Sequence, residues 1–98
     1  MVMTILEAQV DPSKWEVMRQ SYTTGSTELP PQMAQTFLLQ SASDPTIWRM
    51  ASVWKSREAL EEYRQSVETP GGVLFFRSVG AEPKLSIFDV AVHETADS

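Results

Sequence analysis

The stretch IWRMASVWKSREALEEYRQS, residues 47–66, constrains the fold more than any other part of the chain. Its first eight residues are apolar, aromatic or small with one arginine among them, the composition of a strand half buried in a sheet. Ser56 then stands where a helix cap belongs, since its hydroxyl can accept from a backbone N–H of the first turn. Glu58 follows where the positive end of a helix dipole favours an acid. Leu60, Tyr63 and Val67 share one face of that helix, and Glu61 and Gln65 face water. A strand running directly into an amphipathic helix requires a sheet with helices packed on it. It also gathers Trp48, Trp54 and Tyr63 into one region, where they either fill a core or line a pocket.

The remaining segments supply the partners. Val2 to Val10 alternates as a strand, with Val2, Leu6, Ala8 and Val10 on one side and Ile5, Glu7 and Gln9 on the other. Asp11-Pro12 ends it and opens a helix, because Asp is a good cap and Pro suits the first helical position. Trp15, Met18, Tyr22 and Leu29 predict that this helix runs to about Glu28, with Gly25 a weak point or an early end. Pro30-Pro31 cannot continue it. Met33 to Ser41 reads as a second strand and Thr46 to Trp54 as a third, joined through the turn signal SASDPT as an antiparallel hairpin. Pro70-Gly71-Gly72 reads as a stop, Val73 to Phe76 as a single helical turn, Gly80 to Pro83 as a loop, and Leu85 to His93 as the last strand. The order βαββαβ is that of a ferredoxin-like α+β domain with an antiparallel sheet. One domain over residues 1–98 is expected, with a polar tail from about residue 94.

At 98 residues the chain can bury only about 60% of its unfolded surface, and it has no cysteine to add a disulfide or a thiolate metal site. Eight basic against thirteen acidic residues give a net charge of −5, which opposes a nucleic-acid backbone as partner. No apolar run reaches the length of a membrane span, and MVMTILEAQV lacks the basic start of a signal peptide, so a cytoplasmic location is expected.

Sorting the predicted strands by parity puts Leu6, Ala8, Val10, Leu38, Trp48, Met50, Ser52, Trp54, Phe88, Val90 and Val92 beneath the helices. The opposite face collects Ile5, Phe37, Leu39, Ile47, Ala51, Val53 and Ile87 with a band of charge, Glu7, Arg49 and Asp89, and with His93 at its end. With strand 1 between strands 3 and 4, Arg49 is expected to pair with both Glu7 and Asp89. A face so apolar and yet charged predicts that the sheet packs on a second copy across a two-fold axis, making a homodimer.

The passage WKSREALEEY, with TPGGVLFFRSVGAEP and a final strand behind it, resembles the antibiotic-biosynthesis monooxygenase domain of the dimeric α/β-barrel superfamily, from Thr4 to Val92. The resemblance implies a dimeric α/β barrel. Its relatives include cofactor-free monooxygenases that oxidise polycyclic phenols and quinols, haem-degrading monooxygenases and small quinol oxygenases. In the antibiotic-pathway oxygenases a strand-3 tryptophan resembles Trp54, and an asparagine four residues earlier helps hold the substrate; Met50 stands there in this chain. In the haem degraders a ring on the second helix corresponds to Tyr63, and a histidine about three turns later binds iron; Val73 falls near that place, and the only histidine is His93.

The resemblance therefore implies a small-molecule-binding protein needing no cofactor and no metal, a monooxygenase acting on an aromatic phenol or quinol. The alternative is a non-enzymatic dimeric ligand-binding or stress-associated module of the same fold. Tyr63 and Trp54 are the candidate catalytic residues. Tyr22, Trp48, Met50, Ser52 and Phe75, or Phe76 in its place, are the candidate contacts to a small apolar or aromatic ligand. Core packing is the competing reading for every ring among them. His93, beside the tail, is expected at the surface. No serine lies in a nucleophile-elbow context, and the lone histidine and scattered carboxylates lack metal-ligand spacing.

Overall fold

The computed structural model describes residues 1–25 and 28–96. Four strands, β1 (Val2–Gln9), β2 (Met33–Gln40), β3 (Ile47–Trp54) and β4 (Lys84–Asp89), form one antiparallel sheet in the order β2-β3-β1-β4. Three helices, α1 (Trp15–Gly25), α2 (Arg57–Ser66) and α3 (Gly71–Ser78), complete the ferredoxin-like α+β arrangement that the element order predicts.

The helix starts follow local chemistry. Asp11 accepts from the Ser13 N–H at 2.9 Å, but what it caps is a 3-10 turn, Pro12–Lys14, that leads into α1. α1 ends at Gly25, short of the predicted Glu28; Ser26 and Thr27 lie outside the described residues, as do Asp97 and Ser98 of the predicted tail. Ser56 caps α2 as expected, its Oγ accepting from the Ala59 N–H at 2.9 Å.

Gly71 and Gly72 correct the sequence reading. They form the first turn of α3 rather than a stop, and the predicted single turn is a helix of eight residues. A Cβ at Gly72 would lie 2.6 Å from Leu6 Cδ1 and 2.9 Å from Met50 Sδ, so the glycine is what lets α3 approach the sheet. At the other end Gly80 takes φ +78° and the chain closes in a Schellman motif, with the Ala81 N–H on Phe76 O and the Gly80 N–H on Arg77 O, both at 3.0 Å.

β4 departs from expectation in length and in phase. It ends at Asp89, and the register sets Leu85 beside Leu6, Ile87 beside Thr4 and Asp89 beside Val2. Those three therefore lie on the helix side, whereas Phe88 joins Met3 on the open face. Ile87 and Phe88 are adjacent and both apolar, so parity alone could not choose between them. Val90, Val92 and His93 lie beyond the strand. The open face consequently carries Glu7 between Arg49 and Lys84, not between Arg49 and Asp89. Arg49 Nε meets Glu7 Oε1 at 2.6 Å, and Asp89 instead pairs with Arg57 at 2.6 Å.

The main core lies between α1, α3 and the sheet, where Leu6, Val10, Met18, Trp48, Met50, Phe76 and Val79 are buried together. A second cluster of Val2, Trp54 and Leu60, with Met33 and Tyr63 against it, lies under α2.

Candidate functional site

Between these two clusters the sheet presents successive rows of side chains to the helices. One row reads Met33, Trp54, Val2 and Asp89; the next reads Thr36, Ser52, Thr4 and Ile87; the third reads Leu38, Met50, Leu6 and Leu85. The middle row thus carries three hydroxyls across three adjacent strands. The rows on either side bring a tryptophan and apolar side chains.

An inner cavity of about 70 Å³ lies above these rows, bounded by Thr4, Met50, Ser52, Trp54, Tyr63 and Val73, with Arg64 its one charged wall residue. An outer cavity of about 480 Å³ lies between α1, α3 and β2, walled by Tyr22, Thr36, Leu74, Phe75 and Glu28. Met33, Met50, Tyr63 and Gly72 border both, so the two spaces share a partition of flexible thioethers and one phenol.

The polar groups around these spaces are held in defined directions. The Trp54 indole N–H donates to Thr4 Oγ1 at 2.9 Å, which leaves the ring face for the cavity. Tyr63 stands over that ring, with centroids 4.9 Å apart and planes inclined at 39°. Its Oη accepts from the Gly71 backbone N–H at 2.9 Å, and its own proton remains available. Tyr22 donates its hydroxyl proton to Thr36 Oγ1 at 2.8 Å, and Thr36 Oγ1 lies 3.3 Å from Ser52 Oγ. Ser52 is the one polar side chain buried in the described structure, at 4% exposure. The Tyr22 ring meets Phe75 edge to face, with centroids 5.8 Å apart.

The structure brings most of the predicted site residues together: Tyr63, Trp54, Met50 and Ser52 at the inner cavity, Tyr22 and Phe75 at the outer one. Trp48 is the exception. It lies in the main core away from both cavities, edge-on to Trp15 at 6.0 Å with the Arg19 guanidinium 5.4 Å from its ring centre, and its buried N–H has no partner. The side of the sheet was assigned correctly, but Trp48 lies three rows from Trp54, under α1 rather than α2. Phe76 is wholly buried in the core, which leaves Phe75 as the cavity residue of the pair. His93 is exposed beyond β4. Sequence reading missed Thr4, Thr36 and Arg64. The two threonines had a signal, since each is a polar residue at an inward parity of an apolar strand; Arg64 on α2 had none.

Among the described residues no cluster of three His, Asp or Glu side chains is placed to hold a metal ion. Val73 stands in the inner wall, and no histidine lines either cavity. No helix among the described residues is long and apolar enough to cross a membrane.

Comparison with solved structures extends this picture. The fold matches a protein from Deinococcus radiodurans named as an antibiotic biosynthesis monooxygenase, at 12% identity over 100% of both chains with a TM-score of 0.71. It also matches SnoaB, a cofactor-independent oxygenase from Streptomyces nogalater, at 14% identity over 94% of each chain with a TM-score of 0.65. A MhuD variant with two manganese protoporphyrin IX bound per active site matches at 14% identity over 98% of this chain and 100% of that one, with a TM-score of 0.71. At such identities the likeness carries the fold alone. A search of curated proteins returned no match. The sequence model for antibiotic biosynthesis monooxygenases, in contrast, matches residues 1–69, from β1 through α2 and thus through the strand-to-helix passage that walls the inner cavity. The chain belongs to the antibiotic biosynthesis monooxygenase family.

Proposed function

We propose that the protein binds an electron-rich aromatic molecule, a phenol or quinol, against Trp54 and Tyr63 and across the shared partition of the inner and outer cavities, and oxidises it with dioxygen without an added cofactor. The observation that carries this reading is the setting of Tyr63. Its hydroxyl accepts from a backbone N–H and has no acceptor for its own proton among the described residues, and the residue walls both cavities, which are lined mainly by apolar groups. Such a phenol can donate to a bound oxygen atom and later take part in its proton transfer. The Trp54 face and the two methionines supply an apolar, polarizable bed for a flat ligand.

In the proposed reaction the substrate supplies every electron. A dihydroxyaromatic with an adjacent ring C–H reacts with O₂ to give a hydroxyquinone and water: one oxygen atom enters the C–H bond, the other leaves as water, and the two phenolic protons balance it. The protein's share is to exclude bulk water and to steady the ionised phenol that first gives up an electron.

Met50 favours the second reading, a dimeric ligand-binding module without turnover, because a thioether cannot hold a substrate hydroxyl as the relatives' asparagine does. Oxygen-electrode measurements on protein stripped of metal and flavin, across a panel of dihydroxyaromatics, separate the two. Uptake that slows at least about tenfold in Tyr63→Phe supports oxygenation. Uptake that requires added haem, flavin or metal overturns the cofactor-free assignment, and binding without uptake across the panel leaves the module.

We also propose that the open sheet face is covered by a second copy, completing a dimeric barrel. Phe37 and Leu39 at 46% exposure and Phe88 at 52% surround Ile5, Ala51 and Val53 on that face. Glu7, Arg49 and Lys84 form a charged strip at its edge. Contiguous apolar surface with paired charge suits a two-fold interface.

A further inference from the structure

The row of hydroxyls across the sheet has a proton count that bears on what the inner cavity holds. Tyr22, Thr36 and Ser52 contribute three hydroxyl protons, and the two bonds between them, at 2.8 and 3.3 Å, use two. With Tyr22 donating to Thr36, one proton is left over, on Ser52 or on Thr36. If Thr36 donates onward, the spare proton is at Ser52, which borders the inner cavity. If Ser52 donates back, Thr36 accepts twice and its own proton is left for the outer cavity, whose wall it shares. The first arrangement instead leaves the spare donor on Ser52, the buried member of the row and the one that borders the inner cavity with Trp54 and Tyr63.

We infer that Tyr22, Thr36 and Ser52 act as one polarised donor chain that holds an anionic oxygen of the ligand in the inner cavity, with Thr36 as the positioning residue that aims Ser52. This rests on the proposed binding of a phenol beneath Trp54 and Tyr63 and specifies its form: the phenolate rather than the phenol. Chained hydroxyls polarise one another in surroundings of low dielectric, and a donor aimed at charge is stronger there than in water. The charged groups bordering the two spaces are Arg64 at the inner cavity, which favours an anion although Glu61 lies 3.7 Å from it, and Glu28 at the outer one, which disfavours an anion on its side. Both therefore direct the negative oxygen inward. The chain occupies the role left open by Met50: it supplies a polar hold two residues further along the same strand and on the same face.

Titration of 4-nitrophenol in the presence of saturating protein tests this, because the yellow nitrophenolate band reports ionisation and quenching of tryptophan emission reports binding separately. The phenolate should bind at least about tenfold more tightly than the phenol, lowering the midpoint of the bound dye by about one pH unit. Thr36→Val keeps the shape and should lose most of that preference while the dye still binds; Thr36→Ser should restore it, and Tyr22→Phe should weaken it part way. Arg64 is intact in all three variants, so its attraction cancels from the comparison. A preference unchanged in Thr36→Val, with only a loss of stability, makes the Thr36–Ser52 contact a cross-strand pair and overturns the inference. An unshifted dye that binds normally overturns it too, and a dye that does not quench the emission at all counts against the binding reading on which it stands.

Discussion

Truncation of Trp54 to alanine separates a ring that fills a core from a ring that walls a cavity. Trp54 is only 4% exposed and packs on Val2, Leu60, Met33 and Tyr63. A fully packed tryptophan would lose about 3–5 kcal/mol on truncation, the upper end reflecting a void that its neighbours cannot fill. The indole also gives up its bond to Thr4 Oγ1, on the order of 1 kcal/mol. Two features of the structure pull the total down. One side of the ring already meets the inner cavity of about 70 Å³, so its contacts on that side are incomplete before the change. The freed Thr4 hydroxyl lines that same cavity, where water can reach it, and Met33 and Met50 can swing into part of the new space. The expected loss is therefore about 3 kcal/mol, the low end of the range for truncated tryptophans. With a urea slope of roughly 1.5 kcal/mol per molar, the midpoint should fall by about 2 M. Wild type and variant must be compared at one protein concentration, because association would otherwise enter the difference. A loss above about 5 kcal/mol would mean a closed, fully packed site. A loss under about 1 kcal/mol would mean that the ring is not anchored as described, and either result would refute the reasoning.

Sedimentation at micromolar concentration should report a dimer, and Phe88→Glu, which places a charge on the open face at a position of 52% exposure, should shift it to a monomer without loss of helix signal; a wild-type monomer would remove the proposed interface. Stability should hold through neutral pH and decline in acid. Hydrogen bonds from Ser13 and from Thr46 hold Asp11 and Asp44 below their ordinary value of 3.8, and the bond from Arg77 holds Glu82 below 4.5. A carboxylate with a lowered value in the fold stabilises it above the unfolded value and loses that contribution as pH falls through the folded one, so melting temperatures should drop below about pH 4 and Asp44→Asn should flatten part of the slope. A melting temperature that rises on acidification would contradict this.

The alternation of β1 and β3, the serine ahead of α2 and the proline signals at residues 12, 30 and 45 are local facts, and they determined the element order and the helix-facing side of the central strands. A period of two, a capping hydroxyl and a fixed φ act within a few residues, so the sequence alone carries them. The same reasoning put Met50, Ser52 and Trp54 on the helix side of β3 and Tyr63 on the inward side of α2, where the pattern is strongest. It could not choose the phase of β4, since Ile87 and Phe88 are neighbours of equal hydrophobicity and only the pairing with β1 breaks the tie. Nor could it see why Gly72 is a glycine, because the side chains that crowd it, Leu6 and Met50, come from two other strands. Trp48 and Trp54 look alike in sequence, six residues apart on one face of one strand. Only the placement of α1 and α2 over the sheet made the first a core ring and the second a cavity wall. The hydroxyl row belongs to tertiary structure as well: Tyr22, Thr36 and Ser52 become one chain because a helix and two paired strands meet there, and long-range contacts of that kind leave no mark in local periodicity.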